Sequence, residues 1–150
     1  MRKINLLLLL IIPAALLRAQ SDKQPFLTKS LSAESISTIE AKTTGGNISV
    51  SAVGQSEARV EVYVTPNNWK NNSLTKEEIQ KRLDEDYELS VTVSNNKVKA
   101  IAKSKNRNMN WKKALNISFH VFVTKNVSSD LTTSGGNIKL SGISGTQDFT

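Results

Sequence analysis

The chain of 150 residues contains no cysteine. It therefore forms no disulfide, offers no thiolate as nucleophile or metal ligand, and has no cysteine near its start to carry a lipid. Histidine occurs once, at His120, which rules out a multi-histidine metal site and any mechanism that needs two imidazoles. On the outer face of a strand, a lone histidine reads as solvent-facing or packed on the sheet. No serine lies in a strand-to-helix elbow of the kind hydrolases use. Acid is absent from Leu89 to Ser129. With no catalytic constellation in it, the sequence implies a non-enzymatic protein with no catalytic residue, cofactor site or metal site.

Long apolar runs are also missing, with one exception. After Met1, Arg2 and Lys3, the stretch Ile4 to Leu17 is apolar but for Asn5 and contains Pro13. It is shorter than the roughly 20 residues of a spanning helix. A basic start, a short apolar run and small residues around Ala19 match a secretory signal peptide over 1–19, cleaved after Ala19. Export without disulfides fits a bacterial protein of the periplasm, the outer surface or the medium, since small secreted eukaryotic domains are usually stapled. The four Asn-x-Ser sequons, at Asn47, Asn71, Asn116 and Asn126, then carry no glycan. The formal charge of +7 falls to +4 once Arg2, Lys3 and Arg18 leave with the leader. About 130 residues remain, enough for one domain with a real core.

The mature chain alternates. Residues 20–35 form a polar lead-in with a short strand around Phe26 to Leu31, and a single domain occupies 36–150. Ile39, Ala41 and Thr43 alternate with Glu40 and Lys42. Gly45-Gly46-Asn47 interrupts, and Ile48 and Val50 resume the pattern. In "EARVEVYV", Ala58, Val60, Val62 and Val64 share one face. The period then changes: Thr75 with Glu78 forms a capping box, Leu74 and Ile79 a hydrophobic staple, and a helix follows near 76–84 with Ile79 and Leu83 inward. A two-residue turn at Asn95-Asn96 pairs Val93 with Val98, Val91 with Ala100 and Leu89 with Ala102, an all-apolar face that specifies the register. "LNISFHVFV" places Leu115, Ile117, Phe119, Val121 and Val123 on one face, and "SDLTTS" is a further strand.

One phrase is written twice: "TTGGNISVSAVG" from Thr43 and "TSGGNIKLSGIS" from Thr133. A phosphate cradle would lead into a helix and carry Lys-Ser/Thr or a third glycine, whereas both copies lead into strands. The phrase reads as a corner of β architecture. "TSGGNIKLSGISG", preceded by "WKKALNISFHVFVTKNVSSDL", resembles the bacterial putative adhesin family, exported domains in which T-S-G-G-x-I phrases recur. Thr124 stands where that family's turn often carries proline. The resemblance covers the chain from about Ile39 to its end. It implies an all-β fold in which antiparallel hairpins lead into a right-handed β-solenoid. Because coils bury their faces on neighbours, another strand and another glycine corner are expected after Thr150, in a longer protein.

Two charged stretches are left. Asp84, Glu85, Asp86 and Glu88 lack the glycine and spacing of a calcium loop and read as a solvated helix end. Lys97, Lys99, Lys103, Lys105, Arg107, Lys112, Lys113 and Lys125 fill the acid-free window around Trp111. The plainer reading is lysine protection of strand edges. The sharper one is an anionic contact at Lys105, Arg107, Trp111, Lys112 and Lys113, for a surface glycan, an envelope polymer or another protein. Export disfavours nucleic acid. The expectation is thus an exported, adhesin-like or envelope-binding β protein, with a β-solenoid polysaccharide lyase or hydrolase as the rival.

Overall fold

A computed structural model describes residues 24–67 and 74–150. The expected signal segment and the sequon at Asn71 lie outside the described residues. The chain runs β1 (Leu27–Ser30), β2 (Thr38–Thr43), β3 (Ile48–Ala52), β4 (Arg59–Pro66), α1 (Lys76–Asp86), β5 (Tyr87–Ser94), β6 (Lys97–Ser104), β7 (Leu115–Val123), β8 (Ser128–Thr133), β9 (Ile138–Ser141) and β10 (Gln147–Phe149). These strands build two five-stranded mixed sheets, ordered β1-β4-β7-β3-β9 and β10-β8-β2-β6-β5. The expectation of a β fold with one inserted helix is met at that level.

The hairpin is the most local piece, and it forms in the expected register. Val93 faces Val98, Val91 faces Ala100 and Leu89 faces Ala102. Its turn holds Asn95 at φ 50° and Asn96 at φ 60°, the left-handed pair that a two-residue hairpin with a type I′ turn requires. The helix starts as its sequence dictates: Thr75 Oγ1 accepts from the Glu78 amide at 3.2 Å, and Glu78 Oε2 accepts from the Thr75 amide at 2.8 Å. It extends two residues beyond the expected end, to Asp86.

Strand β7 alternates buried and half-buried along its whole length, with Leu115, Ile117, Phe119, Val121 and Val123 inward. Those side chains meet Val60 and Val62 of β4, Ile48 and Val50 of β3, and the inner residues of the other sheet in one shared core. Full burial of a side chain such as Phe119 stabilises by about 1.5–3 kcal/mol, and the two inward stripes are what the sheets share.

The glycine corners connect the sheets. Strands β2 and β3 flank the first Gly-Gly-Asn but do not pair; each lies in a different sheet. The same holds for β8 and β9 around the second. The two copies of the phrase lie side by side in parallel register: Thr43 is the partner of Thr133, Ile48 of Ile138, Val50 of Leu140 and Ser51 of Ser141. Each corner is locked to its neighbour by the same group. Thr43 Oγ1 donates to the Ile117 carbonyl at 2.8 Å, and Thr133 Oγ1 donates to the Gly46 carbonyl, also at 2.8 Å.

The glycines answer a steric demand. A Cβ on Gly46, whose φ is +132°, would stand 2.3 Å from the Ile117 carbonyl oxygen, and one on Gly136 would stand 1.8 Å from the Gly46 oxygen. Backbones pass too closely there for any side chain.

Candidate functional site

The acid-free window is acid-free only along the chain. Parallel pairing of β2 with β6 sets Glu40 opposite Lys99, and the Glu40 carboxylate takes Lys97 at 2.6 Å and Lys99 at 3.7 Å. Lys42 joins from Glu40's own strand at 3.3 Å and bridges onward to Asp130 at 3.2 Å. The Lys97 hydrogen bond is the main reason the Glu40 carboxyl sits below its ordinary range; burial opposes it and Lys42 adds to it. Edge protection does not describe Lys97 and Lys99, because β6 lies between β2 and β5. They are counter-ions of a carboxylate that is only 13% exposed.

Lys105 is likewise committed. Its ammonium donates to the Asp84 carbonyl at 2.6 Å, and its amide donates to the Asp86 carbonyl at 2.8 Å. A cation thereby caps the C-terminal carbonyls of α1, where the last turn carries Asp84, Glu85 and Asp86 and no basic residue of its own. The sequence-predicted contact set is divided accordingly. Lys105 holds the helix, Arg107 and Lys113 face an open basin, and Trp111 and Lys112 stand exposed on the loop.

That basin, about 750 Å³, lies between α1 and the loop that follows β6. Arg107 and Lys113 meet Lys81 and Arg82 there, but also Glu78, Glu85 and Asp86. Lys81 lies 3.9 Å from Glu85, and Arg82 Nη1 donates to the Lys113 carbonyl at 3.3 Å. Helix acids and loop cations therefore converge, and the positive field foreseen for the loop is largely balanced at the basin. Trp111 is 64% exposed, while its carbonyl accepts from the Ala114 amide at 3.2 Å and the Asn67 side chain at 3.4 Å. The loop backbone is thus tied down while the indole projects into water. Among the described residues no three acids or histidines converge in a metal-binding arrangement.

On the outer face of the other sheet, sequence reasoning placed His120 but not the residues it meets. Pairing of β4 with β7 puts Glu61 opposite His120, Tyr63 opposite Ser118 and Arg59 opposite Phe122. Arg59 Nε donates to Glu61 at 2.7 Å while its guanidinium lies 3.9 Å from the Phe122 ring centre. The Tyr63 hydroxyl donates to the other Glu61 oxygen at 2.7 Å, and its ring stands 4.7 Å from that of His120. Burial, then the Glu61 bond, pushes the Tyr63 hydroxyl up to about 12. Burial alone would raise the Glu61 carboxyl, but the Arg59 and Tyr63 bonds outweigh it and the net shift is downward. Burial lowers His120, against a weaker pull from Glu61. The alternation in each strand was readable; which residues face one another across a separation of more than fifty residues was not.

No family model matches the chain, and no curated protein matches it. Among solved structures it is similar to a putative cell adhesion protein from Clostridium sporogenes, at 11% identity and a TM-score of 0.40, over 76% of this chain and 49% of that one. It is also similar to a putative adhesin from Bacteroides fragilis, at 15% identity and a TM-score of 0.37, over 82% of this chain and 60% of that one. The chain thus spans about half of the first structure and three fifths of the second. Among the described residues no helix is long and apolar enough to cross a membrane.

Proposed function

We propose that the chain is an exported, non-enzymatic binding module of a bacterial envelope or surface, adhesin-like in kind, whose ligand contacts the loop after β6. The observation that carries this reading is Trp111, held 64% exposed on a loop with Arg107, Lys112 and Lys113 beside an open basin. Loops held by a rigid β scaffold are where binding residues concentrate, and exposed aromatics with cations are the side chains that anchor contacts. Export rests on the leader, and the adhesin-like reading on the T-S-G-G-x-I phrase. The stacked corners are read as coils of a right-handed β-solenoid, supported by the parallel register of the two phrases. The non-catalytic reading rests on the sequence, which has no cysteine and a single histidine and places no serine in a nucleophile elbow.

Glycan-array binding with a parallel turnover screen on acidic polysaccharides tests the proposal. Trp111→Ser, and Arg107→Ser with Lys112→Ser and Lys113→Ser, should each weaken binding while the fold persists; Lys105 is left intact because it caps α1. Binding to an acidic polymer should weaken as salt rises, since these cations are exposed. Unchanged binding in the loop variants would remove the loop from the account. Release of polysaccharide products would overturn the non-enzymatic reading in favour of a β-solenoid lyase or hydrolase.

A further inference from the structure

A second recess, of about 540 Å³, opens where the outer face of the β4-β7-β3 sheet meets the stacked glycine corners. Its volume falls within the roughly 300–1,000 Å³ usual for small-molecule sites. Among the described residues no Lys, Arg, Asp or Glu lines it. Tyr63 and His120 supply rings; Asn47, Asn67, Asn116 and Ser118 supply amides and a hydroxyl.

These groups are fixed in place before any ligand arrives. The Tyr63 ring is oriented by its 2.7 Å bond to Glu61 and by the His120 ring, inclined at 43° to it. Asn116 Nδ2 donates to Asn67 Oδ1 at 3.3 Å, which turns the two amides toward each other. Asn47 Oδ1 accepts from the Asn137 amide at 2.9 Å, so its amide NH2 is the end left to face outward. Ser118 Oγ accepts from the Asn47 amide at 2.9 Å and keeps its own proton to donate. At the glycine rim, a Cβ on Gly135 would meet nothing nearer than 3.8 Å, so the corner stays open to a ligand.

We propose that this recess is a binding site for a short neutral saccharide. A sugar ring presents an apolar C–H face and a rim of hydroxyls that both donate and accept. The Tyr63–His120 pair offers a surface for the first, and the amides and hydroxyl answer the second. Among the described residues an anionic ligand finds no cation here, and a cationic one finds no free carboxylate, because the nearby Glu61 is engaged by Arg59 and Tyr63. Sites carried on strands lose little freedom on binding, which favours even a weak ligand. The recess touches the loop after β6 through Asn67, whose Nδ2 donates to the Trp111 carbonyl at 3.4 Å, but it shares no lining residue with the basin and its chemistry differs.

The test is titration of the isotope-labelled full chain with cellobiose, chitobiose and mannobiose, with digalacturonate as the anionic comparison, followed by amide NMR. At least one neutral disaccharide should shift the side-chain amides of Asn47, Asn67 and Asn116 with a millimolar or tighter Kd. The affinity should change less than about twofold between about 50 and about 500 mM salt, as expected without ion pairing. Asn116→Ala and Asn67→Ala should each weaken binding by about fivefold, the scale of one hydrogen bond. Tyr63→Phe keeps the ring and should bind, whereas Tyr63→Ser should not; the spectra report folding in the same experiment. Variants at Arg107, Lys112 and Lys113 should leave the shifts at Asn47 and Asn116 unchanged, so failure here is distinguishable from failure of the loop reading. No shift in those amides with any neutral disaccharide up to about 20 mM, well above a millimolar Kd, would overturn the proposal. So would shifts confined to the loop, or a salt-sensitive preference for digalacturonate.

Discussion

Adjacent glycines in the second corner should respond oppositely to the same methyl group. A Cβ on Gly136 would lie 1.8 Å from the Gly46 oxygen, 2.4 Å from the Gly46 carbonyl carbon and 3.0 Å from the Asn47 nitrogen. All three are backbone atoms of the neighbouring corner, so no side-chain rotation relieves the clash, and the corners must separate by more than an ångström. The bonds joining them would go together: Ile48 amide to Asn137 carbonyl at 2.9 Å, Asn137 amide to Asn47 Oδ1 at 2.9 Å, and Thr133 Oγ1 to Gly46 carbonyl at 2.8 Å. At a net 0.5–1.5 kcal/mol each, Gly136→Ala should destabilise by roughly 2–4 kcal/mol. For a domain of this size that lowers Tm by on the order of 10 °C. A Cβ on Gly135 meets only the Thr44 carbonyl oxygen at 3.8 Å and the Gly45 Cα at 4.0 Å. Its φ is not in the left-handed region, so Gly135→Ala should be neutral or stabilise by up to about 1 kcal/mol through the unfolded chain. Urea and thermal unfolding of the two variants, side by side, measure the difference. Equal effects at both positions would refute the close-approach account, and so would a tolerated alanine at 136.

Other perturbations probe the remaining devices. The Tyr87 hydroxyl accepts from the buried Leu115 amide at 2.8 Å, so Tyr87→Phe should orphan that donor and cost about 1–3 kcal/mol, read from the urea midpoint. Asn95→Ala with Asn96→Ala should cost about 1–2 kcal/mol per residue, because both hold positive φ; Asn96→Gly should not, and chemical denaturation compares them. Glu40→Gln should destabilise by roughly 1–3 kcal/mol, and more in low salt, since it leaves Lys97, Lys99 and Lys42 without their shared carboxylate. The Glu40 carboxyl is depressed in the folded state, so its contribution is complete above the unfolded carboxyl range near pH 4.5 and is lost as pH falls through the lower folded value. The wild-type advantage over Glu40→Gln should therefore be constant at neutral pH and shrink only in acid. An advantage that persists unchanged at acid pH would mean the carboxylate charge is not what matters.

Local physics was legible in the sequence wherever the evidence was local. Alternation assigned β4, β7 and the hairpin, Thr75 and Glu78 announced the helix, and the paired asparagines specified a turn and with it a register. The twice-written Gly-Gly-Asn pointed to a corner, because both copies run into strands. Tertiary structure decided what non-local pairing brings together. Parallel strands have no turn to set their partners, so nothing in the chain says that Glu40 meets Lys97 and Lys99, or that the acids of α1 meet the cations of the loop after β6. The result was a basic window partly neutralised in space, at Lys97 and Lys99 and along the basin, with Lys105 serving as a helix cap. The reverse happened on the outer face of β4 and β7. Tyr63, Asn116, Ser118 and His120 look like ordinary wet positions along the chain, and they become one recess only because antiparallel pairing and the stacked corners set them side by side. Side-chain alternation is written residue by residue, whereas register between distant strands is settled by how well two faces share a core.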